Sequence, residues 1–166
     1  MTGRTHLTLG IAAGLLVAAH LHTNPLLSAA AGALGGLLPD IDHPQSMLSG
    51  YVPGSGLLGL FGVRHRGFTH SVLFMVLLVA AWFAASQRIT VPYPVILAGL
   101  AGVATHITSD MLTPQGVQLL YPLRANWKAA PGFVLQVGKF FGVVELIVWL
   151  AGLAGIGAGL WLLYKG

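Results

Sequence analysis

The chain has 166 residues, of which 55% are hydrophobic and only 7% are charged, and its formal net charge is +4. Soluble domains carry about 25% charged residues, so this composition excludes an ordinary soluble domain and predicts an integral membrane protein. The absence of cysteine excludes disulfide bonds and thiolate metal sites. In a membrane protein, Lys and Arg mark cytoplasmic loops and contacts with anionic lipid, so the positive charge predicts a membrane-lipid partner and no nucleic acid.

Five apolar segments follow one another along the chain and predict an all-α polytopic membrane helix bundle. A spanning helix needs roughly 20 residues. The fourth and fifth segments reach this length, the first and third need flanking residues, and the second is a half-span or a tilted helix. We predict about four to five transmembrane helices in a single integral membrane domain, residues 1–166. The segments are residues 7–21, 26–38, 71–86, 93–111 and 141–164.

The first segment also has features of a cleaved signal peptide, because Arg4 precedes an apolar run that contains small alanines. Apolar segments continue along the whole chain, however, so we predict that the first segment is retained as a helix. If the N-terminus is cytoplasmic and all five segments cross, six of the eight Lys and Arg residues lie on the cytoplasmic side. The positive-inside rule favours this orientation in the inner membrane.

Glycines occur in pairs four residues apart within the apolar segments. Small residues at this spacing allow membrane helices to approach closely. We therefore expect helix contacts at three pairs, which are Gly10/Gly14, Gly32/Gly36 and Gly155/Gly159.

The chain's few acidic residues and most of its histidines fall at one end of the predicted bundle. Successive spans alternate in direction, so four polar stretches meet at one membrane face. They are His6 and the motifs at residues 39–43, 65–71 and 106–110. Glu145 near the start of the fifth segment falls at the same end. Ionisable groups at membrane depth are costly and functional by default. Aspartate and histidine together are ligands for a divalent metal.

Spacing adds detail to two of these motifs. His106 and Asp110 are four residues apart, so they share one face of a helix. If the segment Asp40–Asp42 is extended, both carboxylates point the same way, as residues two apart do in a strand.

The motif at residues 65–71 contains a turn and a helix start. Gly67 permits the turn, and Thr69 is the expected N-cap of a helix that begins at His70. A helix N-terminus flanked by Arg64 and Arg66 is suited to bind an anion such as phosphate.

These motifs together resemble a known family. The stretches "TH" at 5–6, "GGLLPDIDHPQS" at 35–46, "HRGFTHS" at 65–71 and "THITSDMLTPQGVQLLYP" at 105–122 are similar to those of the YdjM-like membrane-bound metal-dependent hydrolases, described as LexA-regulated in some bacteria. A more distant likeness connects them to zinc-dependent phospholipase C. The resemblance implies that the motif residues are His6, Asp40, Asp42, His43, His65, Arg66, His70, His106 and Asp110.

We accordingly predict a metal-dependent hydrolase with its site facing the cytoplasm. Zinc is the leading choice, and Mn or Fe are alternatives, because imidazole and carboxylate ligands are mixed. The surplus of ligands allows two metals, with Asp42 or another carboxylate bridging. The predicted metal ligands are His6, Asp40, His70, His106 and Asp110.

The predicted reaction uses a metal-activated water as the nucleophile. Asp42 or His65 accepts its proton, while Arg66, together with Arg64, neutralises a phosphoryl group. His43 and Glu145 are expected to contact the metal ligands without binding the metal themselves.

The predicted substrate is a phospholipid or another lipid-linked phosphoester, because the connecting loops are apolar and aromatic. Two alternatives remain open: a transport protein for metal ions or protons, and a membrane protein whose metal is purely structural. The sequence leaves the oligomeric state open.

Overall fold

The computed structural model describes residues 1–43, 46–48, 66–128 and 141–165. Within these residues the regular structure is helical, and each of the five predicted apolar segments forms a helix. The first helix begins four residues earlier than predicted and the third begins one residue later. The helices are α1 (Gly3–Leu21), α2 (Pro25–Leu37), α3 (Val72–Ser86), α4 (Tyr93–Met111) and α5 (Phe141–Lys165).

Two of the described helices are long and apolar enough to cross a membrane, namely Gly3–Leu21 and Gly142–Lys165. In the second of these, only 11% of the most apolar stretch is buried, and its other residues are exposed or half-buried. Helix α2 has 13 residues and therefore extends about 20 Å, which is less than the roughly 30 Å of a bilayer core. The structure thus supports two spans in the described residues, and four to five transmembrane helices stays a prediction.

Glycines bring α1, α2 and α4 into backbone contact. A Cβ atom on Gly10 would collide with the carbonyl oxygen of Gly32, and one on Gly14 with that of Ser28. A Cβ atom on Gly102 of α4 would collide with the same Gly32 carbonyl oxygen, so the three helices meet at this glycine. The α1–α2 contact therefore uses two of the three predicted glycine pairs.

The third predicted glycine pair lies on the opposite side of α1. Gly155 of α5 faces the side chain of Ala12, and Gly159 faces that of Leu15. Close contacts of this kind replace hydrophobic side-chain interlocking in membrane helices, and here they hold α5 along the length of α1.

Two 3-10 turns continue the helices into the polar end of the molecule. Leu38–Asp42 follows α2 directly, and Phe68–His70 precedes α3. The chain after α4 docks on the second turn, because the Gln118 amide donates to the Arg66 carbonyl over 2.9 Å. A small apolar core lies next to these turns and consists of Val103, Ile107 and Val117.

Candidate metal centre

Five predicted ligands from four separate parts of the chain converge at one end of the bundle. His6 comes from the first turns of α1, Asp40 and His70 from the two 3-10 turns, and His106 and Asp110 from the end of α4. The three histidines are fully buried and Asp110 is 1% exposed, whereas Asp40 is 16% exposed. The ligand atoms form two sets, each with all atoms within 4.8 Å: His6, His106 and Asp110, and Asp40, His70 and His106.

The second set has the dimensions of a metal site. His70 Nε2 and His106 Nε2 are 3.1 Å apart, and Asp40 Oδ1 lies 3.7 and 3.4 Å from them, respectively. Two tetrahedral ligands of a zinc ion at bonds of about 2.1 Å are about 3.4 Å apart. Asp110 Oδ2 lies 3.6 Å from His70 Nε2 and 4.0 Å from His106 Nε2, as a fourth ligand would.

Hydrogen bonds on the far side of the rings determine the tautomers of His106 and His6. His106 Nδ1 is 2.7 Å from the carbonyl oxygen of Gly36, which can only accept, so Nδ1 carries the proton. His6 Nδ1 is 3.2 Å from Ser109 Oγ, which already donates to the His106 carbonyl over 2.9 Å. Ser109 Oγ therefore accepts from His6 Nδ1, and both Nε2 atoms carry lone pairs.

A hydroxyl relay determines the tautomer of His70 in the same way. Thr69 Oγ1 donates to Asp42 Oδ2 over 2.9 Å and lies 3.0 Å from His70 Nδ1, so it accepts the Nδ1 proton. The Nε2 lone pairs of His70 and His106 then face each other at 3.1 Å. Facing lone pairs repel unless a cation lies between them, and the cluster therefore fits a divalent metal.

The groups of this centre outside the spanning helices have the ionisation states that metal ligands need. Burial opposes ionisation of Asp40, but the surrounding imidazoles, His106 foremost, outweigh it and lower the pKa of Asp40 to about 2. Burial lowers the pKa of His70 despite the neighbouring Asp110 carboxylate. At neutral pH, Asp40 is a carboxylate and His70 a neutral imidazole.

Arg66 is held against the ligands by Asp110. Its Nε atom lies 3.1 Å from Asp110 Oδ2 without hydrogen-bond alignment, and its Nη1 donates to Thr113 Oγ1. Its backbone has a φ of 64°, a left-handed conformation that non-glycine residues adopt at functional sites. The guanidinium also lines a polar cavity of about 440 Å³ together with Asp40 and His43.

The predicted orientation of Asp42 is wrong. Residues Leu38–Asp42 form a 3-10 helix rather than an extended segment, so side chains two residues apart point in different directions. Asp40 faces the Nε2 atoms of the histidines, whereas Asp42 lies on the Nδ1 side of His70 and accepts a hydrogen bond from Thr69. Asp42 is therefore placed to orient a ligand and not to bridge metals.

The predicted helix start at His70 is also wrong. Ser71 is the N-cap of α3, since its Oγ accepts from the Phe74 amide over 3.2 Å. The Thr69 hydroxyl is unavailable for capping because it connects Asp42 with His70.

The remaining predicted residues lie around the centre or outside the described part. Glu145 accepts hydrogen bonds from Thr2 N at 2.7 Å and Thr5 Oγ1 at 2.8 Å, which fastens α5 to the start of α1 beside His6. Arg64 and His65 lie outside the described residues, and their roles stay predictions.

The sequence interpretation missed the hydroxyl groups that orient the histidines. Thr69 is adjacent to His70, and Ser109 lies three residues after His106 on α4. A hydroxyl residue near His70 and another near His106 were the available signal, but the partner of each hydroxyl depends on contacts between distant segments.

We expect Thr69→Val to reduce metal affinity about 10- to 100-fold, the usual effect of losing a hydrogen-bond partner of a ligand. Valine has a similar shape but cannot accept the His70 Nδ1 proton or donate to Asp42. A titration against a competing chelator measures the change. Thr105→Val is the matched control, because its hydroxyl donates only to the Gly102 carbonyl of its own helix. Equal affinities for both variants would contradict the relay.

Comparisons with known proteins identify the family of the chain. The family model "YdjM inner membrane protein" matches residues 1–164. "Uncharacterized protein YvsG" of Bacillus subtilis is 42% identical over 125 residues, covering 74% of each chain. "Inner membrane protein YdjM" of Escherichia coli is 34% identical over 162 residues, covering 90% of this chain and 81% of that protein. The Shigella flexneri protein of the same name matches equally well.

No solved structure matches the chain, and the names of these relatives state no reaction. The match over nearly the whole length, together with the two apolar helices, confirms the predicted resemblance and a membrane location. The chain belongs to the YdjM family of inner membrane proteins.

Proposed function

We propose that this membrane protein is a metal-dependent hydrolase that cleaves a phosphoester of a membrane lipid. One observation carries the proposal: three buried histidines direct Nε2 lone pairs toward two carboxylates within 3.4–4.0 Å. Such a cluster is unfavourable in an apolar bundle unless a cation occupies it.

Asp40, His70, His106 and Asp110 would hold the metal. Zinc suits this mixture of imidazole and carboxylate, and Mn or Fe are alternatives. When bound, a divalent ion supplies Lewis-acid activation of a water nucleophile and of phosphoryl oxygens. The distribution of Lys and Arg favours a site that faces the cytoplasm.

The chain's own residues would bind and orient the substrate. Arg66 lines the polar cavity beside Asp40, where a guanidinium can pair with a phosphoryl group. His65, its neighbour in the sequence, is our candidate for the proton acceptor. Asp42 acts indirectly, by holding Thr69 and thus the His70 ring.

An apolar cavity of about 410 Å³ that extends toward the ligand end of the bundle supports a lipid substrate. It lies between α2, α3 and α4, and its lining includes Leu38, two residues before Asp40, and Val103, one helical turn before His106. Such a cavity can receive an acyl chain while the headgroup phosphate enters the polar cavity.

The test uses detergent-purified protein loaded with Zn²⁺ and mixed with vesicles of defined phosphodiester and phosphomonoester lipids. We expect release of a headgroup or phosphate by the wild type. Loss of activity is expected in Asp40→Asn, which alters a ligand. Retention is expected in His22→Asn, which alters an exposed residue at the far end of α1.

An untouched lipid panel at full metal occupancy would reject lipid hydrolysis. Zinc flux into proteoliposomes under the same conditions would favour transport instead. A metal that changes only the thermal stability would favour a structural role.

A further inference from the structure

Asp110 lies between two groups of ligands and presents one carboxylate oxygen to each. Its Oδ2 atom is 3.6 Å from His70 Nε2, and its Oδ1 atom is 3.4 Å from His6 Nε2. A carboxylate in this arrangement is suited to bridge two cations.

His6 Nε2 indicates the second cation. Hydrogen bonding of Nδ1 to Ser109 places the proton there, so Nε2 has only a lone pair to offer. This atom is fully buried and lacks a hydrogen-bond partner, although a carboxylate oxygen lies 3.4 Å away. Two acceptors at this distance repel each other unless a positive charge joins them.

A positive charge already lies on this side of Asp110. The amino group of Met1 is 2.6 Å from Asp110 Oδ1. The position therefore favours a cation, and a metal ion bound there would displace the ammonium group from Asp110.

His106 cannot serve both positions. Its single available nitrogen, Nε2, lies 3.1 Å from His70 Nε2 and 3.4 Å from Asp40 Oδ1, among the first group of ligands. The second position is left with His6 and Asp110, and the polar cavity beside it is lined by Thr2 and Gly3.

We propose that the centre holds two divalent cations bridged by Asp110, a tight one at Asp40, His70 and His106 and a weaker one at His6. The inference rests on the proposed metal-dependent function and adds the number of metal ions per chain. Fewer protein ligands leave more coordination positions of the second ion to water and substrate oxygens, so this ion exchanges first. Two-metal centres are typical of phosphoester hydrolysis.

The experiment is a titration of the full chain in detergent with Mn²⁺, followed by elemental analysis and electron paramagnetic resonance. For the wild type we expect two ions per chain, released in two steps by a chelator, and a spin-coupled signal. For His6→Ala we expect one tightly held ion and an uncoupled signal. His6→Gln should give the same result and guards against misfolding, which the gel-filtration profile monitors. His20→Ala, a change at an exposed histidine of the same helix, should retain two ions.

One ion in the wild type at saturation would overturn the two-metal inference but leave a mononuclear hydrolase intact. Two coupled ions in both His6 variants would also overturn it. No bound ion in the wild type would overturn both the inference and the proposed function.

Discussion

His106→Ala is expected to lower metal affinity by more than the roughly 100-fold that loss of an orienting contact produces, and to leave the purified protein without stoichiometric metal. The side chain is fully buried and belongs to both sets of ligand atoms. Its removal also leaves the Gly36 carbonyl without the Nδ1 proton, which costs about 1–3 kcal/mol. Elemental analysis and chelator competition measure the first effect, and thermal unfolding measures the second.

The design needs a variant that keeps the packing. His106→Gln retains an amide that can donate to Gly36 but provides no imidazole, so we expect near-normal stability with the metal lost. His20→Ala on the exposed far end of α1 should change neither quantity. Full metal content in both His106 variants would show that the ion binds elsewhere and would reject this cluster as the metal centre.

The convergence of the ligands was predictable because it follows from helix direction. An apolar segment that crosses the bundle reverses the chain, so polar motifs after every second segment return to the same end. The sharing of one face by His106 and Asp110 was predictable for the same elementary reason, since a helix repeats every 3.6 residues. Both expectations depend only on periodicity, which a single sequence shows.

The direction of Asp42 was not predictable from that information. Pro39 is compatible with an extended segment and equally with the first turn of a helix, so the local sequence leaves both open. The orientation of Asp42 in the structure involves Thr69, which is 27 residues away. The Thr69 hydroxyl accepts a hydrogen bond from His70 and donates one to Asp42. Side-chain orientation at such a site is decided by tertiary contacts that no local pattern reports.

The glycine pairs connect the packing of the helices to the chemistry. Gly36 lies one turn after Gly32 on α2, and its carbonyl accepts from His106. The same glycine packs against His6 of α1, because a Cβ atom there would collide with the His6 carbonyl. The separation between the histidines of α1 and α4 is therefore set by how closely both helices approach α2.

Gly32→Val is expected to destabilise the protein by at least about 3 kcal/mol, the upper range for overpacking, and to release the ion that is held with His6. A side chain at this position would collide with the Gly10 carbonyl oxygen and the Gly14 backbone of α1, and backbone atoms cannot move aside as a flexible side chain can. Separation of α1 from α2 would withdraw His6 from Asp110. Thermal unfolding in detergent and metal content measure the two effects.

Gly157→Val supplies the matched control, because it makes the same chemical change on α5 where a Cβ atom meets nothing within 4 Å. We expect wild-type stability and metal content for it, and an intermediate loss for Gly32→Ala. A Gly32→Val protein that unfolds at the wild-type temperature and retains its metal would mean that α1 and α2 are not in backbone contact. In that case the distances that define the metal centre would not hold either, since His6 and His106 are positioned through this contact.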